Sequence, residues 1–290
     1  MATFTNVATL NYGGTVTASN AVTGVLEDVL DVQKTAVRPT YGADNTMTYV
    51  VNIVNNGTTP YTDVTVSDDL GAYPFTPAGG TAPVTLYPMS YVPGTVTLYQ
   101  NGTLQPAPTI LPGTPTVFSG ITVPAGGNVV LVYDAEMNEF APRGAGGTVT
   151  NTATVNSAEF TAPLTASASV SVENGADLSV EKSLFPTTVR PGDTLTYTFL
   201  IRNRGNAPVT TDDDLTLGDT FSPRLSDITV TLNGTSLNET DYTADNATGA
   251  FTTGSGLIPV PAATFVQDPA TGVVQVEPGT AVLTVSGTVV

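Results

Sequence analysis

The 290-residue chain contains no cysteine, no histidine and no tryptophan, and only 8 of its residues are lysine or arginine, against 25 aspartates and glutamates. Each absence removes a class of chemistry. Without histidine or cysteine there is no Ser-His-Asp or Cys-His machinery, no ordinary zinc site, no imidazole-ligated haem and no disulfide framework. A formal net charge of -17 argues against nucleic acid as a partner, because phosphate binding needs basic side chains to displace counterions, and against anionic membranes for the same reason. Paired carboxylates remain a conceivable glycosidase apparatus, but a chain without tryptophan is poorly equipped to line a sugar cleft. There is no hydrophobic run long enough for a transmembrane helix. The N-terminus, MATFTNVATLNYGG, has neither the basic nor the apolar region of a secretory signal.

What the chain does contain is β-grain. Forty per cent of its residues are hydrophobic, and apolar runs are interrupted repeatedly by its 28 Gly and 22 Pro, as in a protein of many short strands. The length suggests about two domains. No helical period persists over a useful length; Val25 to Val32 comes nearest and reads equally well as an alternating strand.

Self-comparison reveals an internal repeat. Val32-Gln-Lys-Thr-Ala-Val-Arg-Pro and the block Asn45-Thr-Met-Thr-Tyr-Val-Val-Asn-Ile-Val-Asn-Asn-Gly return as Val180-Glu-Lys-Ser-Leu-Phe-Pro and Asp193-Thr-Leu-Thr-Tyr-Thr-Phe-Leu-Ile-Arg-Asn-Arg-Gly. Lys34 and Lys182, Tyr49 and Tyr197, and Asn55 and Asn203 are each 148 apart. Val64 to Asp68 answers to Leu215 to Asp219. With a closing Thr-Asn-Thr-Ala-Thr-Val strand, these motifs resemble the repeat family known as domain of unknown function eleven. That resemblance covers most of both modules and implies immunoglobulin-like sandwiches of bacterial surface proteins. Size and layout also resemble the subunits of fibrous endospore appendages. The fold expected is therefore all-β: two tandem immunoglobulin-like sandwiches, residues 25–174 and 175–290, preceded by a donor strand and connector, residues 1–24.

The donor strand follows from a mismatch between the copies. Module one closes with Thr148 to Val155, whereas module two runs only to the counterpart of the preceding strand. The closing motif occurs instead at the N-terminus, where Phe4-Thr-Asn-Val-Ala-Thr-Leu-Asn11 matches Val149 to Asn156 at a constant offset of 145. Three fates are open to this strand: a loose tail, a return to its own module two, or insertion into module two of a neighbour. The last is favoured, because an incomplete sandwich exposes a strand edge and a core groove. Such a contact is heterologous and propagates into a filament.

Alternation then assigns faces. Lys34 and Lys182, the two lysines of the chain, share the apolar sides of their strands with Val32 and Val180. Asp68 shares a face with Val64 and Val66, and Asp219 with Leu215 and Leu217. Asn151 lies with Val149, Ala153 and Val155, and Asn6 with Phe4, Ala8 and Leu10. A buried lysine with a depressed pKa is nucleophilic, and a neighbouring carboxyl can shuttle protons to an asparagine amide. These are the requirements of a spontaneous Lys-Asn isopeptide bond. The expected bonds are Lys34 to Asn151 with Asp68 as shuttle, and Lys182 to Asn6 of the next subunit with Asp219. Against this stands a buried Lys-Asp ion pair capped by the asparagine, or lysine tips that snorkel outward.

Other motifs read as architecture. Asn56-Gly, Asn101-Gly and Asn233-Gly match glycosylation sequons, as do Asn238 and Asn246, but Asn-Gly between strands is first a hairpin turn. Asp212 to Asp214 and Asp241 to Asp245 lack EF-hand spacing and read as solvated loops rather than calcium sites. Arg143 to Gly147 lacks the Lys-Ser/Thr of a phosphate loop. No metal or cofactor is implied. The function expected is a non-enzymatic, self-assembling subunit of an extracellular or spore-surface fibre, its partners being copies of itself and a separate anchoring protein. The alternative is an adhesin or binding module using exposed loops.

Overall fold

The computed structural model describes residues 2–26, 29–42, 46–111, 113–160 and 162–290, so Glu27 and Asp28 of the Val25–Val32 stretch, and Asn45 of the first repeat block, lie outside the described residues. The described chain is almost entirely β-structure, with only two short 3-10 turns, and divides into two units. Unit 1 comprises Met1–Thr76, Gly80–Ala141 and Thr148–Ser171; unit 2 comprises Pro77–Gly79, Pro142–Gly147 and Val172–Val290.

Unit 1 is an antiparallel sandwich. One sheet has the order Thr103–Gln105, Thr97–Gln100, Asn128–Met137, Thr46–Asn55, Leu30–Ala36. The other runs Thr109–Leu111, Thr116–Val123, Tyr61–Asp68, Thr148–Asn156, Leu164–Val172, Thr40–Tyr41. Strict alternation builds the core between them: Met47, Tyr49, Val51 and Ile53 from one strand, Val129, Leu131 and Tyr133 from its neighbour, and Val64, Val66, Val149 and Val155 from the opposite sheet are all buried. Two-stranded turns occur where the sequence has Asn-Gly at Asn101-Gly102 and Asn233-Gly234, with φ of 49° and 79° and of 50° and 79°. Left-handed backbone at both positions is what a type I′ hairpin demands. Asn56-Gly57 departs from the hairpin expectation. It joins strands of opposite sheets, and the buried Asn55 shapes the bend by accepting from Gly57 N (2.9 Å) and donating to Thr59 O (2.8 Å). Asn203 does the same in unit 2, toward Gly205 N and Ala207 O.

In unit 2 a five-stranded sheet, Leu178–Phe185, Thr194–Asn203, Gly279–Val289, Leu225–Leu232, Thr235–Ser236, faces a smaller three-stranded one, Gly218–Thr220, Ala250–Thr253, Tyr242–Ala244. Leu195, Tyr197, Phe199, Phe221, Phe251 and Leu283 form its core. The first sheet keeps unit 1's order of lysine strand, tyrosine strand and a long third strand, Asn128–Met137 in unit 1 and Gly279–Val289 here, as the repeat requires. The second does not reach across the lysine strand. Among the described residues, no strand of unit 2 takes the places held in unit 1 by Thr148–Asn156 and Leu164–Val172. Every residue of Leu178–Phe185 is exposed in consequence, Val180 by 62% and Phe185 by 77%.

The N-terminal segment differs from the lone strand and connector expected of it. Ala2–Asn6 pairs with Val22–Leu26, and Thr9–Tyr12 with Thr15–Ala18 across a Gly13-Gly14 turn, making a two-stranded antiparallel ribbon. Residues 15–18 and 22–24, read from sequence as connector, are therefore in strands, and Val25 and Leu26, read as the start of module one, belong to the ribbon. The sequence signal failed because Thr-Ala-Ser-Asn-Ala is turn-like in composition, and pairing overrides local preference.

Candidate functional site

The first site lies inside unit 1, where three strands bring Lys34, Asp68 and Asn151 together. Lys34 belongs to Leu30–Ala36 of one sheet; Asp68 ends Tyr61–Asp68, and Asn151 sits on its neighbour, Thr148–Asn156, in the other. Ala153 is directly opposite Asp68, which puts Asn151 two residues along on the same inward face. The Asn151 strand also lies against the Lys34 strand across the interior. Lys34 Nζ is 2.5 Å from Asp68 Oδ2, and both side chains are wholly inaccessible to solvent. The Tyr133 hydroxyl donates to the same Oδ2. Asp68 Oδ1 accepts from Leu70 N at 3.0 Å, so both carboxyl oxygens are held. The Tyr49 ring centroid lies 4.9 Å from the lysine nitrogen.

The next residue fixes the third partner. Asp69 Oδ1 accepts from Thr152 N (2.8 Å) and from Gly71 N (2.9 Å), and Asp69 N donates to Thr152 O (3.0 Å). These bonds clamp the residue next to Asn151 at the end of the Asp68 strand. Gly71, at φ 74°, lets the chain turn beneath Val149: an added Cβ would lie 2.5 Å from Val149 Cγ1.

Asn151 itself is completely buried, and neither its Oδ1 nor its Nδ2 has a hydrogen-bond partner. The amide lies near the Tyr49 and Tyr133 hydroxyls and opposes their upward pKa shifts, without reaching hydrogen-bonding geometry. A buried, unsatisfied amide costs about 1–3 kcal/mol. Electrostatics around it are those of a desolvated site. Burial lowers the Lys34 pKa, with Asp68 opposing the shift. Burial raises Tyr133 and Tyr49, and the Asp68 charge adds to both shifts, so the two phenols stay protonated and available as donors.

The corresponding group in unit 2 is only partly assembled. Lys182 Nζ contacts Asp219 Oδ2 as Lys34 does Asp68, over the rings of Tyr197 at 4.6 Å, Phe199 at 5.5 Å and Phe221 at 5.6 Å. Yet the lysine side chain is 39% exposed and the aspartate 17%. The core-facing expectation fails for Lys182 for a physical reason: alternation sets the face, but burial needs a second layer over it. Val285 aligns with Tyr133, so the phenolic donor is absent from the equivalent position. The buried asparagine of unit 2, among the described residues, is Asn203 of the turn. Asn6 is exposed on the ribbon, as are Phe4, Ala8 and Leu10. The structure thus joins three predicted residues of the first set and two of the second, and leaves the donor residues in solvent.

Sequence reasoning missed Tyr133 and Asp69. Tyr133 was recoverable, since alternation from Val129 through Leu131 carries it into the core. The acidic loops hold themselves: Asp213 accepts from Thr210 N (2.7 Å) and Oγ1 (2.8 Å), and Asp245 from Ala247 N and Thr248 Oγ1. No group of three or more Asp or Glu that could hold a metal occurs among the described residues, and no described helix is long and apolar enough to cross a membrane.

No protein-family model matches the chain, and no curated protein matches it. Among solved structures, the chain is similar to the major pilin subunit of Bacillus cereus (10% identity, 89% of this chain and 64% of that one, TM-score 0.37). It is also similar to a 35 kDa C-terminal fragment of the major pilin GBS80 of Streptococcus agalactiae (11%, 79% and 80%, TM-score 0.35). A family 123 glycoside hydrolase from Clostridium perfringens matches over 51% of this chain and 28% of its own length (10%, TM-score 0.30). The chain thus spans less than two thirds of the hydrolase and of the Bacillus pilin. Likenesses this distant transfer no activity.

Proposed function

We propose that this chain is a structural subunit of an extracellular fibre. Subunits join head to tail, the N-terminal segment of one completing unit 2 of the next, and amide cross-links lock both the unit and the joint. The observation that carries the reading is the contrast between the two lysine sites. Lys34 is sealed beneath an Asn151 strand, whereas Lys182 keeps the same aspartate and ring but lies open to solvent at the place of such a strand. The segment that repeats the Asn151 strand, Phe4 to Asn11, is itself exposed. A chain that leaves Val180, Phe185, Phe4 and Leu10 in water has apolar surface of the kind that marks an association site.

In unit 1 the chemistry proceeds from the groups in place. The Lys34 ammonium passes a proton to Asp68 along their 2.5 Å contact, a transfer favoured by the burial that lowers the lysine pKa. The neutral amine attacks Asn151 Cγ, forming the Nζ–Cγ bond. The Asp68 carboxyl delivers its proton to Nδ2, the Cγ–Nδ2 bond breaks and ammonia leaves, while the second Nζ proton passes back to the Asp68 carboxylate, which ends neutral. Nothing is oxidised or reduced. Tyr133 orients the carboxyl throughout. The orphaned amide of Asn151 disappears in the product. At the joint, Lys182, Asp219 and Asn6 of the neighbour play the same parts. Spore-surface location and a separate anchoring protein belong to the same reading.

Deletion of residues 1–24 tests the donation: loss of filaments is expected, and filaments of normal abundance would refute it. Intact mass of the isolated chain tests the first cross-link, with a deficit of one ammonia expected and the full calculated mass refuting it.

A further inference from the structure

We infer that the donated element is the whole two-stranded ribbon, residues 2–26, rather than the first strand alone, and that its acceptor is unit 2 of a second copy of this chain. The inference rests on the donation proposed above and adds a second strand to it.

In unit 1 the Asn151 strand does not close the sandwich by itself. It is paired along its length with Leu164–Val172, Val149 opposite Val170 and Asn151 opposite Ala168, and Val170 and Val172 are buried with it. Unit 2 has a counterpart of neither strand among the described residues. A single donated strand would therefore leave half of the gap open.

The second strand of the ribbon carries the missing half. Val16-Thr-Ala-Ser19 repeats Leu164-Thr-Ala-Ser167, and Val22 answers to Val170, all at an offset of 148. That offset also relates Lys34 to Lys182, so the distance from second strand to lysine strand is the same in both copies. At the open end of the ribbon the shared face is kept. Phe4 is opposite Gly24 and Asn6 opposite Val22, a register displaced by two residues from that of unit 1, which leaves all four on one face, as Val149, Asn151, Val170 and Val172 are in unit 1. The Phe4 ring lies across Gly24, where an added Cβ would come within 2.3 Å of it. Val22 is 57% exposed and Phe4 56%. The open end of the ribbon therefore presents apolar side chains beside Asn6 on one face, and the exposed Leu178–Phe185 strand is a surface of matching character.

The test uses three full-length variants, Phe4→Arg, Val22→Arg and Thr23→Arg, assayed for filament mass by sedimentation and electron microscopy. None alters a core residue of either unit, and unchanged circular dichroism verifies this. The inference expects at least a tenfold loss of filament mass for Phe4→Arg and for Val22→Arg, with Thr23→Arg, on the opposite face, close to the unaltered chain. Val22→Arg assembling normally while Phe4→Arg does not would overturn the ribbon and leave single-strand donation standing. Normal assembly of both, or an unaltered chain that stays monomeric, would overturn donation as well. Amide exchange on assembled material gives a second readout: slowing across residues 16–26 as well as 4–11 is expected, and slowing of 4–11 alone contradicts the inference.

Discussion

Asn151→Ala separates the covalent from the non-covalent account of unit 1, because the two predict effects of different size. If Lys34 and Asp68 form only a buried ion pair, Asn151 contributes no hydrogen bond. Its removal would then relieve an unsatisfied amide worth about 1–3 kcal/mol and open a small cavity, with a net change near zero or stabilising. If the amide bond forms, the substitution deletes a cross-link between positions 117 apart. By the loop-closure argument used for disulfides, that constraint is worth about 5 kcal/mol. For a unit of this size about 1 kcal/mol corresponds to roughly 2–4 °C, so the melting temperature of unit 1 should fall by about 10–20 °C. Calorimetry on the purified chain measures this, with intact mass recorded on the same samples. A variant that melts within about 2 °C of the unaltered protein, or above it, refutes the cross-link.

Further expectations follow from the same geometry. Gly71→Ala should destabilise unit 1, since a left-handed residue with a side chain costs about 1–2 kcal/mol and the clash with Val149 about 1–3 more; denaturant titration reads the loss. Val180→Asp should leave the melting of isolated subunit within about 0.5 kcal/mol, because the residue is exposed, yet abolish filaments. Lys182→Arg should permit assembly but remove any ladder that survives boiling in SDS, since a guanidinium is not a nucleophile under these conditions. Tyr49 and Tyr133 titrate above the unfolded value of 10.0 when folded. Above pH 10 the native state therefore binds more protons than the unfolded one, and the stability these groups contribute is lost as pH rises past that value. Phenolate absorbance should show at least two of the 11 tyrosines resisting ionisation until unit 1 unfolds.

Much of the first site could be read from the chain. The repeat located Lys34 and Asp68, and period-two alternation turned both, with Asn151, toward the interior, where they are buried. Alternation is a local rule and needs no knowledge of which strands pair. What depends on pairing was hidden. The Asp69–Thr152 clamp involves residues 83 apart in sequence, and nothing local marks Asp69 as different from other turn aspartates. The exposure of Lys182 was invisible for the same reason: its strand has the pattern of a buried one, and only the absence of a covering pair in unit 2 leaves it in solvent. The ribbon escaped notice because its second strand is short, polar in the middle and broken near Ser19, so composition resembled a linker.

The most direct test of head-to-tail joining is peptide mapping of assembled material after boiling in SDS. The account predicts a ladder of multimers and, on digestion, a branched peptide in which Lys182 of one subunit is joined through its side chain to Asn6 of another, with one ammonia lost. Complete collapse to monomer, with Lys182 and Asn6 recovered only in separate, unmodified peptides, would contradict it.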